Sequence, residues 1–160
     1  MEQEVPALSS PAGEIYSLHS QPKLTVLHVD DDPMNLWVVE DVLGAFGHKT
    51  IRAEGAQAGL EALASEVVDV VLMDIHMPGM SGIDLVQQLR RGQGLNRATP
   101  VIALTADVLT RSKQDYLALG FNDFVSKPIL VARLLGAISR ATAKDGAPAL
   151  SALGAVASHR

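Results

Sequence analysis

Apolar and polar positions along this chain follow two periods, and the changes of period mark out its elements. Short, mostly apolar runs recur at 24–29, 70–73, 101–104 and 124–125. Such runs, bounded by turn residues, read as strands buried on both faces, the condition of a parallel sheet. Between them apolar residues return at helical spacing: Val38, Val39, Val42, Leu43 and Phe46, then Leu60 and Leu63, then Ile83, Val86 and Leu89, then Leu130, Leu134 and Ile138. The pattern predicts strands over 24–29, 49–53, 70–74, 101–105 and 123–126, and helices over 33–46, 56–64, 82–91, about 110–119 and 129–143. Local signals agree with it. Asp32 is placed to cap the first helix with Pro33 at its first position, Gly47 stops it, Ser81 caps the third, and Gly120 ends the fourth. Strands separated by single helices imply an α/β fold, with parallel pairing, right-handed crossovers and helices on both faces of the sheet.

The ends of the chain lack either period. Residues 1–22 carry Pro6, Pro11, Gly13 and Pro22 among Ser and Glu and read as a flexible tail. Residues 144–160 are rich in Ala, Gly and Ser, are broken by Pro148, and read as a second tail. The folded unit is expected over 23–143, one domain of ordinary size in a chain of 160 residues.

Composition narrows the class. With 48% hydrophobic and 19% charged residues the chain is globular, and a net charge of -5 opposes nucleic-acid binding. Without cysteine there is no disulfide framework, thiolate metal site or Cys nucleophile, which fits the cytoplasm. No apolar run reaches membrane-spanning length, and the acidic start Met1-Glu2-Gln3-Glu4 is unlike a secretory signal. The expectation is a soluble protein with neither a nucleic acid nor a membrane as partner.

The chemistry lies at the strand ends. Asp74 closes the run Val70-Val71-Leu72-Met73 and is followed by the turn His76-Met77-Pro78-Gly79-Met80-Ser81-Gly82. Asp is depleted in strands, and a bare carboxylate at a buried strand's end needs a reason. Asp30, Asp31 and Asp32 close the first strand, Thr105 the fourth, and Lys127 follows the fifth. Parallel strands point the same way, so these groups converge on one crevice at the carboxyl edge of the sheet, where open α/β folds bind ligands. Three crowded carboxylates repel one another and invite a hard divalent cation. Asp32, followed by Pro33, reads as a cap rather than a ligand.

The segments Val29-Asp30-Asp31-Asp32-Pro33-Met34-Asn35, Leu72-Met73-Asp74-Ile75-His76-Met77-Pro78-Gly79-Met80-Ser81-Gly82, Ala103-Leu104-Thr105-Ala106 and Ser126-Lys127-Pro128-Ile129 together resemble the receiver domain of two-component response regulators. They are most similar to receivers attached to hybrid histidine kinases. The resemblance implies a flavodoxin-like three-layer fold with a five-stranded sheet in order 2-1-3-4-5, an order for which the general rule already cites a receiver-type protein. It implies that Asp74 accepts a phosphoryl group from a phosphohistidine on a sensor histidine kinase or histidine phosphotransfer protein. It implies Mg²⁺ held by Asp31, Asp74 and the backbone carbonyl of His76, with Asp30 acting through metal-bound water. Lys127, before a cis Pro128, would pair with a phosphoryl oxygen, and Thr105 would donate its hydroxyl to another. Phe124 takes the place of the aromatic switch residue, without the hydroxyl a Tyr would bring. His76 and Asp107 would border the path of attacking water and tune phosphoryl lifetime. Signalling would follow by conformational change or onward phosphorelay to a downstream protein. The domain would not be an enzyme beyond its own phosphoryl transfer and slow autodephosphorylation.

Two other readings come from different classes. An aspartate-nucleophile phosphatase of the haloacid dehalogenase type shows a second Asp two residues after the nucleophile, where this chain has His76. A protein-interaction module with vestigial phosphorylation is opposed by the intact set of site residues. Met73, Met77 and Met80 read as packing, and the five His form no metal cluster. Trp37 shares a helix side with Glu40, Asp41 and Gly44, and with Met34 it is an interface candidate beside the crevice.

Overall fold

The computed structural model describes residues 23–143, so the expectations for the two tails lie outside the described residues. Five strands and five helices alternate: β1 (Thr25–Asp30), α1 (Pro33–Ala45), β2 (Lys49–Glu54), α2 (Ala56–Ser65), β3 (Val70–Asp74), α3 (Gly82–Arg91), β4 (Val101–Thr105), α4 (Lys113–Leu119), β5 (Asp123–Ser126) and α5 (Val131–Ala141). The strands form one parallel sheet in the order β2-β1-β3-β4-β5. Among the described residues no helix is long and apolar enough to cross a membrane.

Strand alternation divides the core in two. Leu27, Val29, Val71, Met73, Val101 and Ala103 pack against Leu63 of α2, Leu85, Val86 and Leu89 of α3 and Tyr116 of α4. On the other face Val26, Val70, Leu72, Ile102 and Leu104 meet Val39 and Leu43 of α1 and Leu134, Leu135 and Ile138 of α5. Each large aliphatic side chain fully buried in these layers contributes about 1.5–3 kcal/mol, enough to hold the strand ends in fixed register. At the edge opposite the strand carboxyl ends, Arg90 donates to the carbonyls of Gly120, Arg97 and Thr99 and to Asn122 Oδ1. Asn96 there takes the Val68 N–H and donates to the carbonyls of Leu63 and Glu66.

The helix caps follow the local signals. Asp32 accepts the Met34 N–H at 3.0 Å with Pro33 first in α1, and Ser81 and Asp84 form a capping box. Several packing expectations need correction. The core stripe of α1 is Leu36, Val39 and Leu43, whereas Val38 is exposed and Val42 half-buried. Those two valines line a groove between α1 and α5 with Ile129, Val131 and Leu134, which rotates the stripe by one position. In α3 Val86 and Leu89 are buried as expected and Leu85 with them, whereas Ile83 is only partly buried against the same core. Helix α4 starts at Lys113 because Ser112 and Asp115 form its capping box, while Leu109 and Thr110 give their N–H groups to the Asp107 carboxylate. Helix α5 starts at Val131, so Leu130 is its extended N-cap and stays 55% exposed.

Candidate functional site

Val29 pairs with Met73, so Asp30 and Asp74, each one residue further on, stand side by side where β1 and β3 end. Both are buried, at 1% and 3% exposure, while Asp31 on the following turn is exposed. One carboxylate oxygen from each of the three lies within 4.8 Å of the others. Leu104 pairs with Asp74, which puts Thr105 one residue beyond on β4. The Lys127 N–H donates to the Thr105 carbonyl at 2.8 Å, anchoring the loop after β5 to that strand end. The Lys127-Pro128 bond is cis, as the resemblance implies.

From that anchor Lys127 Nζ reaches Asp74 Oδ1 at 3.2 Å and Asp30 Oδ2 at 3.6 Å. Asp74 Oδ1 also accepts the His76 N–H at 3.4 Å. Asp30 Oδ1 takes the Asp32 N–H at 2.9 Å and Oδ2 the Asn35 side-chain N–H at 3.3 Å. Beneath it lies His28, fully buried, with Nε2 at 3.7 Å from Asp30 Oδ2, beyond hydrogen-bond distance. Neither ring nitrogen has a hydrogen-bond partner among the described residues. Sequence reasoning passed over His28 and Asn35. The visible signal was a polar ring in a strand whose other inward residues are aliphatic.

The two buried acids are tuned in opposite directions. Burial raises the Asp74 carboxyl, and the Asp30 charge raises it further, against the ammonium of Lys127 and the His76 N–H. Burial alone would raise Asp30 too, but His28, the Asp32 N–H and Lys127 outweigh it and hold that carboxyl at about 2. One ammonium thus serves two buried carboxylates, with the exposed Asp31 carboxylate beside them. A hard cation with oxygen ligands fits this donor set, and Asp30, Asp31 and Asp74 are the residues able to hold it.

The Thr105 hydroxyl accepts the Asp107 N–H at 3.0 Å and donates to the Asp107 carbonyl at 3.3 Å, so it is turned to its own loop. The Asp107 carboxylate is engaged by the Thr110 hydroxyl and by the N–H groups of Thr110 and Leu109, and these bonds lower its pKa. Phe124 pairs with Ala103 on β4 and stacks on Tyr116 of α4 at 5.1 Å between ring centres. Gly82, first residue of α3, packs so closely beneath the site that a Cβ there would stand 2.2 Å from the Asp74 carbonyl oxygen. Met34 and Trp37 are exposed on α1, Trp37 at 58%, beside a depression lined by Glu40, Asp41 and Gly44.

The chain is 38% identical over 117 residues to the sensory/regulatory protein RpfC of Xanthomonas campestris pv. campestris, covering 72% of this chain and 16% of that one. It is 37% identical over 119 residues to the aerobic respiration control sensor protein ArcB of Escherichia coli, covering 74% of this chain and 15% of the relative. The chain therefore spans about a sixth of the length of these curated relatives. Among solved structures it resembles the receiver domain of sensor histidine kinase PA1611 from Pseudomonas aeruginosa, which carries a magnesium ion coordinated in its active-site cleft. That match has a TM-score of 0.68 at 27% identity and covers 76% of this chain and 98% of the other. Residues 26–139 match the response regulator receiver domain, and with the acid cluster, the lysine and the strand order already in place, the chain belongs to that family.

Proposed function

We infer that this domain is a phosphoacceptor in two-component signalling, phosphorylated on Asp74 from a phosphohistidine of a sensor histidine kinase or histidine phosphotransfer protein. The observation that carries the reading is the Asp74 carboxylate at the end of β3, nearly buried yet reached by Lys127 at 3.2 Å and set within 4.8 Å of two further acids.

An Asp74 oxygen attacks the phosphorus of the donor, the new O–P bond forms as the P–N bond breaks, and the donor imidazole leaves with the bond's electron pair. Phosphoryl transfer of this kind asks the protein for positioning and charge neutralisation. Lys127, already on Asp74 Oδ1, passes to a phosphoryl oxygen as a mobile point charge. Asp31, Asp74 and the His76 carbonyl would hold Mg²⁺, with Asp30 acting through a water. When bound, the cation neutralises the charge that the carboxylates and phosphoryl oxygens bring together. Thr105 exchanges its bonds to the Asp107 peptide for one to the phosphoryl group, and Phe124 moves with it, giving a two-state change that a downstream protein or relay partner reads. His76 and Asp107 flank the path of hydrolytic water. The domain catalyses only its own phosphorylation and its slow loss. Exposed Met34 and Trp37 offer the donor a contact beside the cleft. A chain without cysteine suits the cytoplasm, where we place the exchange.

The test is intact mass after incubation with Mg²⁺ and acetyl phosphate, for the wild type and Asp74→Asn. A gain of one phosphoryl group in the wild type alone is expected. A gain in both would move the acceptor elsewhere, and no gain together with no binding of beryllofluoride would sink the reading.

A further inference from the structure

Tyr116 is fully buried on α4, and its hydroxyl has no hydrogen-bond partner among the described residues. A buried Tyr ordinarily spends its hydroxyl on a partner. Here the ring carries the contacts. It stacks on Phe124 at 5.1 Å with the planes 23° apart, and it meets Phe121 edge-on at 5.8 Å and 86°. Phe121 is buried and Phe124 is half-buried, so the stack joins the core to the ring at its margin.

The register puts Phe124 beside Ala103 and Thr105 beside Ser126, so Phe124 and Thr105 project from the same face of β4 and β5. The Thr105 hydroxyl is bonded to the Asp107 N–H and carbonyl in the same structure in which the stack is made. The stack therefore belongs to the resting arrangement of the pair.

We propose that Tyr116 is a positioning residue that holds Phe124 in its resting place by ring stacking, and so sets how readily the domain adopts its phosphorylated form. This rests on the phosphoacceptor reading above and names a residue that regulates it. Moving Phe124 toward the space beside Thr105 breaks a stack that the phosphorylated form does not restore. The stack acts through the resting state alone, so weakening it shifts the population toward the switched state and raises apparent affinity for anything that binds there. An aromatic pair of this geometry corresponds to a factor of about two to ten in that equilibrium.

The experiment is calorimetric titration of the full chain with beryllofluoride, a phosphoryl stand-in, at fixed Mg²⁺. Tyr116→Leu removes the stack and is expected to bind about three- to tenfold more tightly than wild type while melting at a lower temperature. Tyr116→Phe keeps the ring and loses only the unpartnered hydroxyl, so it binds within about twofold of wild type and melts no lower. A purely structural role would lower the melting temperature of the Leu variant and leave its affinity unmoved or weaker, which overturns the proposal. So does a Phe variant that shifts affinity as much as Leu. If the Leu variant does not fold, Tyr116→Met is read by the same criteria. A wild type that binds no beryllofluoride overturns the phosphoacceptor reading and this inference with it, whereas normal wild-type binding with an unmoved Leu variant overturns the inference alone.

Discussion

Lys127 Nζ lies 3.2 Å from Asp74 Oδ1, although the two residues are 53 apart in sequence and leave different strands. The contact exists because β3, β4 and β5 are parallel neighbours and the Lys127 N–H is fastened to the end of β4. The same ammonium stands 3.6 Å from Asp30, so removing it leaves two buried carboxylates facing one another. Lys127→Met should lower stability at pH 7 without Mg²⁺ by about 1–3 kcal/mol, a partial version of the cost of orphaning a buried charge because Lys127 keeps some exposure. Urea unfolding checks it, and adding Asp74→Asn should recover most of the loss. No recovery in the double variant would mean that the lysine stabilises through packing instead.

Asp74→Asn alone should stabilise the cation-free domain. The folded-state pKa of Asp74 is raised, chiefly by burial and then by Asp30, so the folded protein holds its proton more tightly than the unfolded chain. Stability then falls as pH rises from the unfolded pKa of about 3.9 through the folded one. At pH 7 the Asn variant escapes that loss, and the gain should vanish near pH 3. Saturating Mg²⁺ should reverse the order, because it stabilises the wild type by mass action. A variant less stable than wild type at pH 7 in chelator would contradict the account.

His48 supplies a pH dependence outside the site. Its Nδ1 accepts the Leu24 N–H at 3.1 Å, and its folded pKa is lowered by burial and then by Lys23. A lowered histidine pKa means full stability above about 6.5, lost as pH falls through that value and the unfolded chain takes the proton. His48→Asn keeps an acceptor without a titrating ring. The difference in unfolding free energy between wild type and variant should change between pH 7.5 and pH 5.5 to the wild type's disadvantage. A pH-independent difference would rule out the neutral buried imidazole.

Two glycines should respond to alanine with opposite signs. At Gly82 the new Cβ would stand 2.2 Å from the Asp74 carbonyl oxygen and 2.9 Å from Met73 Cγ, so strand or helix must shift. Gly82→Ala should cost about 1–3 kcal/mol and, by moving the Asp74 turn, slow phosphorylation by acetyl phosphate. At Gly44, near the end of α1, a Cβ meets nothing within 4 Å. Gly44→Ala should add roughly 0.5–1 kcal/mol by helix propensity. Equal effects at the two positions would show that backbone entropy alone governs both.

The strand ends were legible in the sequence because each apolar run stops at a polar or charged group: Asp30, Asp74 and Thr105 at the ends of β1, β3 and β4, and Lys127 just beyond β5. Strands β4 and β5 run over 101–105 and 123–126 as the pattern predicts. Rotation of the helices was harder to read. Val38 and Leu36 are both apolar, but Leu36 is buried on the side of Arg52 and Glu54 of β2, while Val38 stays exposed in the groove toward α5. The start of α4 escaped because the Asp107 carboxylate takes N–H groups that a propensity argument assigns to the helix. His28 and Tyr116 escaped for a different reason. Their neighbours, Asp30 Oδ2 and the Phe124 ring, are set by folding geometry, and a polar or aromatic letter in isolation does not name its partner.

Arg140, in the last turn of α5, reaches Asp123, the first residue of β5, at 3.4 Å. The final helix therefore ends beside the beginnings of the strands, the same rim from which β1 sets out at Thr25. Both exits of the described unit open on that rim, roughly 15 Å from the carboxylates at about 3.3 Å per strand residue. The described unit is built like a plug whose two exits sit behind the contacts, on the rim away from Asp74.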